Sequence, residues 1–250
     1  MSSELKGQRA FITGGASGIG AELARRFTRE GASVVVADVN DTAGKDVAVE
    51  VGGEYVHLDV TDSQAWNKLI PTFEPFDIVC LNAGVATNTN VLGELSNFPL
   101  ERVDNDAYER IMSINVDGVV FGARAVIPGM VGRKSGHILV TASLAGIIAI
   151  APDPIYGLTK HAMVGFVKSL GPALEHHGVC ISALCPGFLD TPLVSELARE
   201  YAKTFSMGVM DVSIAGDLAM RALAERIAGS QWTVMAGHPI RQYIYAQPFE

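Results

Sequence analysis

Short apolar runs alternate along the chain with longer segments in which apolar and polar positions recur at helical spacing. Most of the short runs are apolar at consecutive positions, as expected for strands of a parallel sheet that helices cover on both faces. The predicted strands are residues 9–12, 34–38, 55–59, 77–82, 137–141, 179–184 and 233–236. This regular alternation predicts an α/β fold, doubly wound, in a single domain spanning residues 1–250.

The predicted helices have recognisable signals. Ile19, Leu23 and Phe27 lie on one face of the first helix, which gives that helix an apolar side to pack on the sheet. Thr61 and Gln64 have the spacing of a capping box, which predicts the start of a further helix.

Two long amphipathic segments, at about 106–131 and 154–176, are predicted to flank the middle strands. Residues 86–103 and 187–212 fit the alternation poorly. Insertions at the carboxyl ends of strands are where α/β enzymes build their binding sites. We therefore expect residues 187–212 to form a lid over a substrate.

Composition and charge narrow the class of protein. The 250 residues are 48% hydrophobic and carry a net charge of −8. A large core is therefore available, and no basic surface is expected for nucleic acid or an anionic membrane. The longest uninterrupted apolar runs, such as residues 144–151, are too short to cross a bilayer. Residues 1–6 lack the pattern of a secretory signal, and three widely spaced cysteines indicate reduced thiols, as in a cytoplasmic protein.

A glycine-rich turn lies between the first strand and the first helix, with the sequence Thr13-Gly14-Gly15-Ala16-Ser17-Gly18-Ile19-Gly20. Its glycines permit close approach of the backbone to a diphosphate, and the helix N-terminus adds unpaired N–H groups. A purely structural turn is the alternative. Asp38 at the end of the second strand favours a bound dinucleotide, because its spacing is that of a carboxylate on the adenosine ribose. A strand-end cap is the alternative role for Asp38.

Asp38 also predicts which dinucleotide binds. A carboxylate accepts hydrogen bonds from both ribose hydroxyls but repels a 2′-phosphate. The neighbours Ser17 and Val39 are not basic, so neither offsets that repulsion. The sequence therefore favours NAD over NADP.

Tyr156 and Lys160 lie one helical turn apart at the start of a predicted helix. A free tyrosine has a pKa near ~10, and a lysine cation one turn away is expected to lower that pKa. Such a pair can transfer the proton that accompanies hydride transfer at a carbinol carbon. A surface helix with one Tyr and one Lys is the alternative. Ser143, directly after the fifth strand, favours the catalytic interpretation because its hydroxyl can orient a reacting oxygen.

With these motifs in this order, the sequence resembles the short-chain dehydrogenase/reductase superfamily, in its common branch of about this length, from about residue 6 to residue 236. The resemblance adds Asn115 to Ser143, Tyr156 and Lys160 as predicted catalytic residues. Together with the glycine turn and the second-strand acid, it gives a set of predicted cofactor-binding residues. These are Gly14, Ser17, Gly18, Ile19, Gly20, Asp38, Asp59, Val60, Asn82, Ala83, Gly84, Tyr156, Lys160, Pro186, Gly187 and Thr191.

The resemblance also implies a role for each catalytic residue. Tyr156 acts as general acid or base, and Ser143 orients the reacting oxygen. Lys160 binds the nicotinamide ribose and lowers the tyrosine pKa, while Asn115 holds a water that connects Lys160 to solvent. The family further implies a Rossmann fold with a seven-stranded parallel sheet of order 3-2-1-4-5-6-7, and a homotetramer (or homodimer) built on the two long helices.

Some features depart from the family pattern. Leu81 stands where an asparagine is common, and residues 235–238 replace the usual Asp-Gly-Gly ending. The tail beyond them carries Tyr243, Tyr245 and Phe249. We expect this tail either to pack on a neighbouring subunit or to pack locally.

The segment between Ser143 and Tyr156 is largely apolar and is expected to form one wall of a substrate pocket. Phe188, Leu189 and Leu193 are expected to line the opposite wall. An apolar pocket beside one polar catalytic group suits a hydrophobic secondary alcohol or ketone. No spacing of His, Cys or carboxylates resembles a metal site, so no metal is predicted.

The cysteines and methionines near the predicted site are assigned no catalytic role. Cys180 and Cys185 flank the sixth strand and are expected to pack in the core. Met207 and Met210 either line the lid or pack as ordinary apolar residues.

Two other functions remain open at this stage. A 3-oxoacyl (carrier protein) reductase would prefer NADP and a basic docking surface, and neither is apparent. A non-catalytic NAD-sensing scaffold on the same fold would not need all four catalytic residues. A cofactor turnover assay distinguishes the scaffold from the enzymes, and the preferred dinucleotide distinguishes the two enzymes.

Overall fold

A computed structural model describes residues 4–73, 75–87, 100 and 103–246 of the chain. Within these ranges eight strands form one sheet of order β3-β2-β1-β4-β5-β6-β7-β8. The first seven strands are parallel, in the predicted order, and β8 runs antiparallel to β7 at the sheet edge. The strands are β1 (Arg9–Thr13), β2 (Ser33–Asp38), β3 (Glu54–His57), β4 (Ile78–Leu81), β5 (Gly136–Thr141), β6 (Val179–Pro186), β7 (Ser230–Val234) and β8 (Arg241–Gln242).

Helices cover both faces of this sheet, as the doubly wound prediction requires. They are α1 (Gly18–Arg29), α2 (Asp41–Val51), α3 (Ser63–Phe73), α4 (Asn105–Met112), α5 (Gly118–Arg133), α6 (Pro154–Glu175), α7 (Glu196–Thr204) and α8 (Ser213–Glu225). α3, α5 and α6 pack on one face of the sheet, and α1, α2 and α8 pack on the other.

The central strands are apolar at consecutive positions because each face of the sheet has its own core. On one face, the Phe11 ring of β1 contacts the rings of Trp66 and Phe76, with centroids 5.9 and 5.1 Å away. Ala10 and Ile12 point to the opposite core. Burial on both sides gives these strands the continuous apolar pattern from which they were predicted.

The last parallel strand starts earlier than predicted. β7 begins at Ser230, directly after Gly229, whose φ of +75° makes the turn. Ser230 and Gln231 are buried polar residues whose side chains donate to Ser182 Oγ (3.2 Å) and to the Gly229 carbonyl. The first half of this strand therefore has no apolar run by which it could be predicted, and β8 was not predicted either.

The N-terminal cap of α3 also differs from the prediction. Asp62 Oδ1 accepts hydrogen bonds from the N–H groups of Gln64 (2.8 Å) and Ala65 (3.1 Å). Thr61 instead donates its amide and its hydroxyl to Asp59. The predicted capping box was wrong because the neighbouring carboxylate makes the cap.

A π-helical turn, Ser113–Asp117, joins α4 to α5, so that the chain is helical over Asn105–Arg133. In the part of the chain that the structure describes, this is the one helix long and apolar enough to cross a membrane by length and composition. Its apolar residues are interrupted by polar ones, so uninterrupted apolar runs alone do not mark it as long enough to cross a membrane. Val119, Ala123 and Met130 on its inner side lie in the core against the sheet, as in a helix that covers a parallel sheet.

The insertion at residues 187–212 is a closed loop that carries α7. Leu189 and Met210 form an isolated parallel bridge at its base. Met210 N–H donates to the Phe188 carbonyl and Asp190 N–H donates to the Met210 carbonyl, both at 2.9 Å. These bonds hold the two ends of the insertion together beside the carboxyl end of β6.

Candidate active site

A cavity of about 750 Å³ lies across the carboxyl ends of the central strands. It extends from the glycine-rich turn after β1 to α7 in the insertion. All the predicted site residues line this cavity except Gly20 and Asn115, which lie behind its wall. The fold therefore brings together residues that lie as much as 177 positions apart, from Gly14 to Thr191.

The glycine-rich turn lies in close contact with two other segments of the cavity wall. Gly14 has a φ of +63°, and a Cβ there would lie 2.8 Å from Ala83 Cα. A Cβ at Gly20 would lie 2.1 Å from the Gly14 carbonyl oxygen, and one at Gly18 would lie 3.3 Å from Thr191 Cβ. The turn thus needs glycine, and it leaves the N-terminus of α1 open to the cavity. This arrangement fits the diphosphate of a dinucleotide.

Asp38 lies at the end of β2 beside this turn. One of its carboxylate oxygens accepts the Ala16 N–H (3.0 Å), and the other accepts the Asn40 N–H (2.9 Å). A carboxylate offers about four acceptor positions, so two remain for ribose hydroxyls. Among the described residues Asp38 has no ion-pair partner. The residue both fixes the turn and places a negative charge in the wall of this end of the cavity.

Asn82 joins the carboxyl ends of three strands. Its side-chain amide donates to the Thr13 carbonyl (2.9 Å), and its backbone N–H donates to Thr13 Oγ1 (2.9 Å). Its side-chain oxygen accepts the Thr141 hydroxyl (2.9 Å). Leu81, the departure from the family pattern, is buried in the core on the α3 and α5 side. The single asparagine therefore crosslinks β1, β4 and β5 without help from position 81.

Tyr156, Lys160 and Ser143 lie on the floor of the cavity. Lys160 Nζ donates to the Thr141 carbonyl (2.9 Å) and lies 5.4 Å from the centroid of the Tyr156 ring. Ser143 caps the 3₁₀ turn Leu144–Gly146, and its hydroxyl lies beside the Tyr156 side chain. The helix start and the strand end thus bring a phenol, a hydroxyl and an ammonium group together.

Loss of solvation dominates the ionisation of this group. Burial raises the pKa of Tyr156 to about 12, the Ser143 hydroxyl opposes that rise, and the Asp153 carboxylate adds to it. Burial also lowers the pKa of Lys160 to about 8. Loss of solvation therefore sets the direction of the Tyr156 pKa in this structure, and the lowering of that pKa by Lys160 stays a prediction.

Asn115 lies in the middle of the π-helical turn and is almost completely buried. Its side-chain oxygen accepts the Val85 N–H (2.8 Å), and its amide donates to the Val85 carbonyl (2.9 Å) and to Thr159 Oγ1 (3.1 Å). Turns of this type are frequent at functional sites. The side chain fixes the segment that follows Asn82-Ala83-Gly84, and the water relay implied by the family stays a prediction.

The sequence predictions gave no chemical role to three residues in or beside the cavity wall. Cys185 is buried in the core, as predicted; it lies beside Ser143 and Lys160, and burial raises its pKa to about 12. Asp153 and Arg110 both line the cavity. Arg110 precedes Ile114, which also lines the cavity, by one helical turn, and no pattern in the sequence marked it.

The far end of the cavity is apolar. The segment after Ser143 contributes Ile148 and Ile150, and the insertion contributes Leu193, with Phe188 and Leu189 also in the wall. From α7, Tyr201 and Phe205 face the cavity with ring centroids 4.5 Å apart. Met207 lines the cavity, whereas Met210 packs on the core. The two alternatives for the methionines thus apply to one residue each.

The C-terminal segment lies away from this cavity. Tyr243 and Tyr245 contact each other edge to face (4.8 Å), and Lys168 Nζ lies 3.9 Å from the Tyr245 ring centroid. Tyr245 packs on the α6 side of the core, so this part of the tail packs locally. Phe249 lies outside the described residues. Across the described ranges no group of three or more His, Cys, Asp or Glu is placed to hold a metal ion.

Comparison with known proteins agrees with this geometry. The family described as short chain dehydrogenase matches residues 8–202. The borneol dehydrogenase of Lavandula x intermedia is 32% identical over 199 residues, covering 77% of this chain and 73% of its own length. The 3-alpha-(or 20-beta)-hydroxysteroid dehydrogenase of Mycobacterium tuberculosis is 32% identical over 210 residues, covering 82% and 77%.

Solved structures agree as well. A short-chain dehydrogenase/reductase from Burkholderia phymatum in complex with NAD superposes with a TM-score of 0.78 and 26% identity, covering 90% of this chain and 88% of that one. One from Mycobacterium marinum has a TM-score of 0.81 and 27% identity, covering 94% and 97%. The chain belongs to the short-chain dehydrogenase/reductase superfamily of oxidoreductases, whose members bind a nicotinamide cofactor.

Proposed function

We propose that the protein is an NAD-dependent oxidoreductase that interconverts a hydrophobic secondary alcohol and its ketone. The observation that carries this proposal is the placement of Tyr156, Ser143 and Lys160 on the floor of one cavity. That cavity opens to the glycine-rich turn at one end and is apolar at the other. Cofactor and substrate can therefore meet above the tyrosine.

Tyr156 is the proton acceptor when the alcohol is oxidised. A bound oxidised nicotinamide supplies the acceptor for the hydride that leaves the carbinol carbon. The alcohol proton passes to the Tyr156 oxygen, and the Ser143 hydroxyl orients the reacting oxygen. Lys160, with a pKa of about 8, is largely protonated at neutral pH and stabilises the Tyr156 phenolate, the form that accepts the alcohol proton and becomes the neutral phenol. In ketone reduction the same tyrosine returns the proton.

Asp38 supports NAD rather than NADP as the cofactor. The carboxylate has acceptor positions left for the ribose hydroxyls, and a 2′-phosphate would meet its negative charge. Ser17 and Val39, which also line this end of the cavity, carry no positive charge. NAD is therefore the cofactor that fits this end of the cavity best.

The apolar walls favour a compact cyclic alcohol. Leu193, Tyr201 and Phe205 form a face on which a ring system can pack. The names of the borneol and hydroxysteroid relatives are in keeping with such a substrate. We further propose that the protein is cytoplasmic and works as a homotetramer or homodimer.

The test follows NADH formation from NAD, with NADP in parallel, across aliphatic, cyclic, aryl and steroid secondary alcohols. Wild type is compared with Tyr156→Phe, which removes the phenolic oxygen, and with Tyr108→Phe, an exposed tyrosine of α4 outside the cavity wall. We expect NAD-linked turnover of cyclic alcohols to fall by at least ~100-fold in Tyr156→Phe, the usual effect of a lost general base. Tyr108→Phe should keep the wild-type rate.

Each other outcome of this assay points elsewhere. Undiminished turnover in Tyr156→Phe would remove the tyrosine from the mechanism. Tight NADH binding with no turnover of any alcohol or matching ketone would favour the sensing scaffold. NADP-linked reduction of carrier-bound 3-oxoacyl groups would identify the carrier-protein reductase instead.

A further inference from the structure

Asp153 is a buried carboxylate in the wall of the cavity, and the mechanism above does not use it. It caps the N-terminus of α6, where its Oδ1 accepts the Tyr156 N–H at 2.9 Å. A serine or asparagine would cap a helix equally well, and a buried charge is expensive unless other donors satisfy it. The choice of a carboxylate therefore calls for further partners.

Those partners come from a segment 66 residues earlier in the chain. Thr87 donates its hydroxyl to Asp153 Oδ1 (2.7 Å) and its backbone N–H to Asp153 Oδ2 (3.2 Å). Thr87 is itself 2% exposed, so these bonds are shielded from water. Two residues before it, Val85 is held through both of its backbone groups by the side chain of Asn115. The stretch 85–87, which leads away from the cofactor-lining glycine Gly84, is thus fixed at both ends.

We propose that Asp153 is a positioning residue for the reaction proposed above, joining the start of the helix that carries Tyr156 to the segment 85–87 of the cofactor-binding wall. Tyr156 belongs to α6 and the segment 85–87 follows β4. Because the two are far apart in the sequence, their relative position depends on contacts between them. The Asp153 carboxylate provides such a contact through the three hydrogen bonds that it accepts. The inference rests on the proposed function of Tyr156.

The Asp153 charge also acts on the proton of Tyr156. The groups that face the phenol are Ser143 after β5, Cys185 at the end of β6, and Lys160 and Asp153 on or beside α6. Cys185 is a neutral thiol at working pH because burial raises its pKa to about 12. Asp153 is then the negative charge among these groups, and it raises the pKa of Tyr156. Removing that charge lowers the pKa of Tyr156, so the rise of alcohol oxidation with pH, which requires the Tyr156 phenolate, moves to lower pH.

Asp153→Asn and Thr87→Val separate the charge from the connection. In Asp153→Asn, Oδ1 can still accept from Tyr156 and from the Thr87 hydroxyl, while the charge and the acceptor for the Thr87 N–H are lost. Thr87→Val keeps the charge and the helix cap but loses the hydroxyl bond. Thr87→Ser keeps that hydroxyl and serves as the rescue variant.

We expect the pH profile of kcat/KM to move down by about 0.5–1 unit in Asp153→Asn and to stay in place in Thr87→Val. The KM for NAD should rise about three- to tenfold in both variants, equivalent to one lost buried hydrogen bond, and Thr87→Ser should restore it. Hydrogen exchange of the protein without cofactor, followed by mass spectrometry, should be faster at residues 85–87 and 155–157 in both variants.

An unshifted pH profile and unchanged hydrogen exchange in a folded Asp153→Asn protein would overturn the inference. If Asp153→Asn fails to fold, Thr87→Val becomes the deciding variant. Unchanged hydrogen exchange and an unchanged KM for NAD in Thr87→Val would show that the Asp153–Thr87 contact does not position the segment 85–87. Tyr156→Phe is measured alongside. Full turnover in Tyr156→Phe refutes the proposed function, whereas an inactive Tyr156→Phe with wild-type Asp153→Asn behaviour refutes only the role of Asp153.

Discussion

At the scale of single residues, the glycines and the Ser-Tyr-Lys group were predictable because sequence encodes them directly. Gly14 and Gly20 occupy positions where a Cβ would collide with backbone, so the backbone path dictates the residue type. The spacing from Tyr156 to Lys160 follows from the helical repeat. The rise of the Tyr156 pKa was not predictable, because it depends on how deeply the folded chain buries the phenol.

Asp38 gives a prediction at this scale. Asp38→Asn removes the negative charge but can keep one acceptor for the Ala16 or Asn40 amide. We expect the ratio of kcat/KM for NAD to that for NADP to fall by about tenfold or more, because a repulsion of a few kcal/mol is removed. Steady-state kinetics with both dinucleotides measure this ratio.

Asp46→Asn, an exposed acid on α2, is the matched control and should leave the NAD to NADP ratio unchanged. An equal change in both variants would indicate a general effect of net charge. A ratio unchanged in Asp38→Asn would remove Asp38 as the basis of NAD preference.

At the scale of elements, the predicted strands were found within a few residues, since seven apolar runs correspond to seven parallel strands. Errors occur where polar residues are buried. β7 starts at Ser230 and Gln231, whose partners on neighbouring elements make burial possible but leave no apolar signal. The α3 cap moved from Thr61 to Asp62 because two adjacent residues could both cap, and geometry chose between them.

The amino ends of β5, β6 and β7 hold a second buried polar group that yields a prediction. His137 Nε2 lies 3.0 Å from Ser182 Oγ, which also accepts from Ser230 Oγ (3.2 Å). Burial, with a further contribution from Arg226, lowers the pKa of His137 to about 3. In the unfolded chain the imidazole has its ordinary pKa near ~6.5. The unfolded state therefore binds an extra proton between pH 6.5 and about 3.

The native state should accordingly lose stability as the pH falls through this window, by up to about 1.4 kcal/mol per pH unit from this one group. His137→Gln keeps a polar side chain without the titration. We expect the free energy of unfolding in urea, measured from pH 7 to pH 4, to fall more steeply in wild type than in His137→Gln. Parallel pH dependences of the two proteins would show that His137 takes up no proton on unfolding.

At the scale of the whole molecule, the parallel sheet places the predicted site residues at one end, where the strands have their carboxyl termini. The parallel order forces the carboxyl ends of β1, β2, β4, β5 and β6 to face the same side, so residues separated by more than a hundred positions share one cavity. This convergence follows from topology and was predictable from the alternation alone. The shape of the apolar end was not, because α7 and its aromatic pair come from an insertion without a strong pattern.

The outer surface of the helical stretch Asn105–Arg133 is a candidate contact with another molecule. The stretch Asn105–Arg133 is apolar enough to cross a membrane, yet only 39% of its most apolar window is buried. Phe121 and Val120 on α5 are only partly buried, which leaves some apolar surface beside the exposed Arg124. Apolar surface of this kind marks contacts with another molecule, and a second copy of the chain is the partner that the proposed homotetramer or homodimer would supply.

We therefore expect Phe121→Asp to lower the mass measured by light scattering after size-exclusion chromatography, because a buried carboxylate without a partner destabilises an interface. Val49→Asp, on the opposite face of the sheet at 82% exposure, is the control and should keep the wild-type mass. A wild-type protein that is already monomeric would refute the proposed assembly. An oligomer that survives in Phe121→Asp would place the interface on another surface, because the two copies would then not meet through α5.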